Sequence, residues 1–145
     1  MKIYLDNCCL QRALDDKSQL KILLESEIVL SLLTLFESGK IDLIASDVLF
    51  YETLKNTDIL RQEYCLDILR KCKIVVSLDE NIEKRAKFLN GAGIKPMDAL
   101  HLAFAEEGGA YFFCTSDESF LKKAKKLAKE TKPVLLFELM KEIEK

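Results

Sequence analysis

Five short β-branched or aromatic runs, separated by longer segments of helical period, set the strongest limit on how this chain can fold. They are KIYL near residue 2, IDLIA near 41, KIVVS near 73, AYFFCT near 110 and PVLLF near 133. Strands that alternate with helices build βα units, which close into a parallel sheet covered on both faces. Helical periodicity predicts helices over about 18–38, 47–56, 59–71, 79–91, 96–107, 117–130 and 137–144. Gly91, Gly93 and the Gly108-Gly109 pair stop helices, and Pro96 suits a first helical turn. With 145 residues, 49% of them apolar, the chain can bury a core without disulfide or metal staples. It reads as a single domain over residues 1–145 with no linker.

The segment from Ser18 to Gly39 carries more apolar residues than one helical stripe requires, among them Leu20, Leu23, Leu24, Ile28, Leu30 and Leu33. Two arrangements account for the surplus: a helical hairpin that buries both faces within the chain, or a helix whose second face meets a partner. Its longest uncharged run, Ile28 to Phe36, is too short to span a bilayer, so no membrane association is expected. Lys plus Arg number 22 against 24 Asp plus Glu, and a net charge of -2 gives no general attraction to polyanions. Contact with nucleic acid then rests on a local patch. The five cysteines, Cys8, Cys9, Cys65, Cys72 and Cys114, are an odd set without a C-x-x-C pair. That pattern fits neither a disulfide framework nor a zinc cage and points to a reducing cytoplasm.

Four acids stand in apolar company. In open α/β sheets, ligands bind beyond the carboxyl ends of the strands where strand order reverses. Asp6 follows the first strand and Asp117, in CTSDESF, follows the fourth. In the order 3-2-1-4-5 those two strands flank the reversal and bring both carboxylates together. Asp98 opens the mostly apolar helix PMDALHLAFA, and Glu52 follows Val48, Leu49, Phe50 and Tyr51. Each acid also has an ordinary structural role open to it. Asp98 can complement the helix dipole, Asp117 can cap a helix, Asp6 can bind the amides of a turn and Glu52 can be solvated. Taken together they require a compensating cation or shared protons.

Oxygen ligands beside a single histidine favour a hard ion, Mg²⁺ or Mn²⁺. One histidine excludes an H-E-x-x-H zinc hydrolase and a two-histidine ribonuclease. His101, three residues after Asp98, is expected to pack in its helix, with orientation of a carboxylate as the other role. No Gly-rich phosphate loop is present. Cys8, Cys9 and Cys114 are expected to act as small buried hydrophobes rather than nucleophiles.

The strand ending YLDNCC, the helix containing Glu52 and the run IKPMDALHLAFAEEGGAYFFCTSDESFL, followed by a closing strand and helix, resemble a PIN domain of the kind found in VapC-like toxins. The similarity extends over essentially the full length and is most specific from Lys95 to Phe120. It implies a three-layer α/β/α sandwich with a central parallel sheet, and a Mg²⁺- or Mn²⁺-dependent endoribonuclease. Asp6, Glu52, Asp98 and Asp117 match the family's acids, with Asn7, Thr115 and Ser116 at accessory positions that hold a ligand or a phosphate. The last helix departs from the pattern, reading LLFELM where relatives often carry an Asn-Pro step. The resemblance further implies hydrolysis leaving 5'-phosphate and 3'-hydroxyl ends, a small antitoxin partner and a homodimer. Lys122, Lys123 and Lys126, together with Lys125 and Lys129 on the same predicted helix, are candidate RNA contacts.

Three other readings compete. A haloacid-dehalogenase-like phosphatase needs a second aspartate two residues after the first, where this chain has Cys8. A signalling receiver domain needs a lysine after the fifth strand, which here ends in Phe137-Glu138. A non-catalytic PIN-like module that binds RNA or protein would have no need of four acids.

Overall fold

The computed structural model describes residues 1–144. The chain runs β1 (Lys2–Leu5), α1 (Asn7–Gln11), a 3-10 turn (Arg12–Leu14), α2 (Leu20–Glu37), β2 (Asp42–Ser46), α3 (Asp47–Lys55) and α4 (Ile59–Lys71). It continues through β3 (Ile74–Val76), α5 (Glu80–Gly91), α6 (Pro96–Glu107), β4 (Phe112–Cys114), α7 (Glu118–Leu127), β5 (Lys132–Val134) and α8 (Leu136–Glu144). The five strands form one parallel sheet in the order β3-β2-β1-β4-β5, flanked by the helices in an α/β fold. β1 is the centre, pairing Ile3 with Leu43 on one side and with Phe112 on the other. Its residues Ile3, Tyr4 and Leu5 are essentially solvent-free, as expected of a strand covered on both faces. β3, at one edge, leaves Val75 exposed.

Most predicted helices lie within a few residues of the observed ones, and three features differ. α1 was not expected. Its five residues are too few for a periodic signal, and Asp6 starts it by accepting a hydrogen bond from the Cys9 amide. The segment after Ser18 is a single 18-residue helix, not a hairpin. It buries Ile28, Val29 and Leu32 against the core and leaves Leu20, Leu23, Leu24 and Leu30 exposed. α7 ends at Leu127, because Ala128 turns extended and Glu130 takes a positive φ of 63°. Lys129 therefore does not share the helix with the other lysines.

Gly108 closes α6 beneath the sheet. A Cβ there would lie 2.9 Å from Val76 Cγ2 and 3.1 Å from Ile44 Cγ2, so the helix end and strands β2 and β3 meet where only hydrogen fits. Gly108→Ala is expected to cost about 1–3 kcal/mol of stability in denaturant unfolding, typical of an overpacked core. A loss below about 0.5 kcal/mol, the range of an ordinary surface substitution, would show that the short edge strand yields instead.

Candidate metal centre

β1 carries Asp6 to the carboxyl edge of the sheet, beside the end of β4. Its amide donates to the Cys114 carbonyl at 3.0 Å, which continues the strand pairing by one residue and fixes the side chain at the reversal of strand order. Asp6 is only 6% exposed. Its Oδ1 accepts from the Cys9 amide at 3.1 Å and from the Cys8 thiol at 2.8 Å. The turn-binding role and the strand-end placement are thus both present in one carboxylate.

Asp98 is the third residue of α6, after Lys95 at the cap and Pro96 at the first position. Burial pushes its carboxyl above the ordinary range, and the charges of Asp6 and Asp117 add to the shift. Like charges separated by 92 and 19 residues of sequence therefore converge on it. Glu52, on α3, pairs through Oε1 with Nε2 of His101 on α6. The histidine orients a carboxylate as well as packing. Asp6, Glu52 and Asp98 line one open cavity of about 350 Å³ with Asn7, Cys8, Gln11, Asp15, Arg61 and His101.

Asp117 differs from the other three. It is exposed, caps α7 by accepting from the Phe120 amide at 3.1 Å, and reaches the cavity through its charge on Asp98 rather than by lining the wall. Thr115 is fully buried and its Oγ1 accepts from the Asp117 amide at 3.2 Å, so it fixes the turn that presents that aspartate. Ser116 Oγ lies 3.0 Å from the Cys8 sulfur. Asn7 sits beside Asp6 with a buried Oδ1 that has no hydrogen-bond partner among the described residues.

That donor set fits a hard divalent cation. The carboxylates and the unpartnered Asn7 carbonyl supply oxygens, and a cation offsets the repulsion that raises Asp98. Donor atoms of Asp6, Cys8 and Cys9 also lie within 4.8 Å of one another, but a thiol ligand must lose its proton. Contact with Cys9 and the charge of Asp6 hold the Cys8 thiol above the usual range, although the residue is exposed. Cys9 is raised too, first through its bond to Cys114. A hard cation prefers the carboxylate and amide oxygens to these thiols. Cys9 and Cys114 are buried as expected, whereas Cys8 is exposed on the cavity wall and turns its sulfur toward Asp6.

The lysine row divides. Lys122 and Lys126 are exposed on α7, Lys123 donates to the Gly93 carbonyl at 3.0 Å and Lys125 pairs with Glu138 at 3.2 Å. None of them lines the cavity. The cation that does is Arg61, which donates to Gln11 Oε1 at 3.2 Å and Asp15 Oδ1 at 2.8 Å. Arg61 carries no motif. It reaches the site because α4 packs against the unexpected α1, a contact between residues 50 apart.

A model of the PIN domain matches residues 3–126, a span that contains all four acids. The chain belongs to the PIN-domain family. This PIN domain also resembles solved structures. One is VapBC2 from Rickettsia felis bound to a DNA fragment from its promoter, with TM-score 0.59 and 15% identity over 93% of this chain and 98% of that one. Another is PAE2754 from Pyrobaculum aerophilum, with TM-score 0.54 and 15% identity over 99% of this chain and 90% of that one. At such identity the likeness is one of fold. No curated protein sequence matches this PIN domain.

Proposed function

We propose that this PIN domain is a Mg²⁺- or Mn²⁺-dependent endoribonuclease, acting as one unit over residues 1–145 and serving as the toxin of a toxin–antitoxin pair. The observation that carries the reading is the gathering of Asp6, Asp98 and Glu52 around one cavity at the strand-order reversal, with the charge of Asp117 felt at Asp98. When bound there, the cation supplies positive charge that neutralises the acids and polarises water and a phosphate oxygen. Asp6 and Asp98 would hold it directly, Asp117 would do so directly or through water, and Asn7 would offer its carbonyl oxygen. Glu52, paired with His101, is a ligand or takes the proton of the attacking water at its carboxylate. Thr115 shapes the Asp117 turn, and Ser116 meets a substrate phosphate. Lys122 and Lys126, exposed on α7 and without an ion-pair partner among the described residues, are the cations for RNA backbone contact, with Lys123 available once it releases Gly93.

α2 leaves Leu20, Leu23, Leu24 and Leu30 exposed, and this apolar face supports the expectation of a small antitoxin and of a homodimer. The unpaired cysteines support a cytoplasmic role, and no described helix is long and apolar enough to cross a membrane. The reading is tested by incubating the purified protein with single-stranded RNA and Mg²⁺ or Mn²⁺, with and without chelator. Cleavage that requires the ion and leaves 5'-phosphate and 3'-hydroxyl ends is expected. Cleavage that persists in chelator, or ends carrying a 2',3'-cyclic phosphate, would overturn it.

A further inference from the structure

We propose that Tyr4 and His101 are positioning residues that hold the Glu52 carboxylate in place through a buried hydrogen-bond circuit anchored on Ser46. The Tyr4 hydroxyl lies 2.7 Å from Ser46 Oγ and 2.7 Å from His101 Nδ1, and Nε2 of the same ring meets Glu52. Ser46 Oγ in turn accepts from the Leu49 amide at 3.2 Å, as the N-cap of α3. Tyr4 and Ser46 are fully buried and His101 is 3% exposed, so the chain of bonds lies almost wholly within the core.

Only one ordering of protons satisfies every member. The Leu49 amide donates to Ser46, whose hydroxyl donates to the Tyr4 oxygen. Tyr4 then donates to His101 Nδ1, which leaves the ring proton on Nε2 to be donated to Glu52. The reverse order places a proton on Nδ1 and turns a lone pair of Nε2 toward a carboxylate. It also leaves the Ser46 hydroxyl without an acceptor in this circuit. Burial holds the Tyr4 phenol protonated, so its donor proton is available at neutral pH.

The circuit begins and ends on α3, at the Ser46 cap and at Glu52. Between those ends it passes through β1 two residues before Asp6 and through α6 three residues after Asp98. Each element that supplies an acid to the cavity wall is therefore tied to the other two by a bond of fixed direction. This is the outer support that orients a ligand or base, whose loss costs about 10–100-fold in metal affinity or activity in comparable sites.

The functional part rests on the metal-nuclease reading, so the test has one readout that depends on metal and one that does not. Tyr4→Phe keeps the ring that stacks on Phe113 at 5.6 Å and removes only the hydroxyl. Its Mn²⁺ affinity, measured by titration without RNA, or its kcat on RNA is expected to fall about 10–100-fold. The same substitution placed on Glu52→Gln is expected to add little, because the group it positions has already gone. His101→Gln, which can still donate toward Glu52, should retain more than His101→Ala. His101 is the only histidine in the chain, so the ring nitrogens in ¹⁵N-labelled protein are unambiguous. The wild type should show the proton on Nε2, and Tyr4→Phe should shift the Nδ1 resonance, whose hydrogen-bond donor is gone. A proton on Nδ1 in the wild type, or a Tyr4→Phe loss of equal size with and without Glu52, overturns the positioning role. If the wild type neither binds Mn²⁺ nor cleaves RNA, the nuclease reading fails, and the ring nitrogens alone decide whether the circuit exists.

Discussion

Replacing Asp6 by asparagine is expected to lower RNA cleavage by about 10²–10⁴-fold, the rate equivalent of losing several kcal/mol of metal-derived charge stabilisation. The substitution separates chemistry from folding. Asparagine keeps the Oδ1 that accepts from the Cys9 amide and the Cys8 thiol, and it caps helices about as well as aspartate. α1 should therefore form and the thermal midpoint should not fall, while the charge nearest the strand-order reversal is gone. Parallel measurements of cleavage, Mn²⁺ binding and thermal unfolding check this. Undiminished cleavage by a folded Asp6→Asn variant would remove Asp6 from the machinery, and with it the reason for the cluster. A loss of activity accompanied by unfolding would mean that capping α1 is the main role of Asp6.

The strand positions and the candidate acids are legible in the sequence as local signals, and the strand order only through the resemblance to a PIN domain. An apolar run that ends on a carboxylate marks both a strand and its functional end, as at Leu5-Asp6 and Cys114-Thr115-Ser116-Asp117. The D-A-L-H run places Asp98 and His101 one turn apart on α6, and both reach the same cavity. What the sequence withholds is what depends on packing between distant elements. Tyr4 looks like any buried aromatic of a central strand until the fold sets it against His101, 97 residues away. Arg61 looks like a solvated helix residue until α4 leans on α1. Asp117 shows the opposite difficulty. Its motif is clear and a capping role is open to it, yet only the structure shows that it caps α7 without lining the cavity.

Asp98→Asn should abolish cleavage to a similar extent, about 10²–10⁴-fold, and should also shift the pH dependence of folding. In the metal-free protein the Asp98 carboxyl is raised by burial and by the charges of Asp6 and Asp117. The folded state therefore holds this proton to higher pH than the unfolded chain does. Stability is greatest, as far as this group is concerned, below the unfolded value of about 3.9. It falls as pH rises through the folded value and stays lower at neutrality. Asparagine removes the titration, so the stability of Asp98→Asn relative to wild type should improve with rising pH across that window. Added Mg²⁺ or Mn²⁺ should raise the unfolding midpoint of the wild type more than that of the variant, because binding to the folded state alone stabilises it by mass action. Denaturant unfolding from pH 4 to 8, with and without the ion, measures both effects. A stability difference that is flat in pH would mean that Asp98 bears no excess negative charge. An equal response of both proteins to the ion would place the cation away from Asp98.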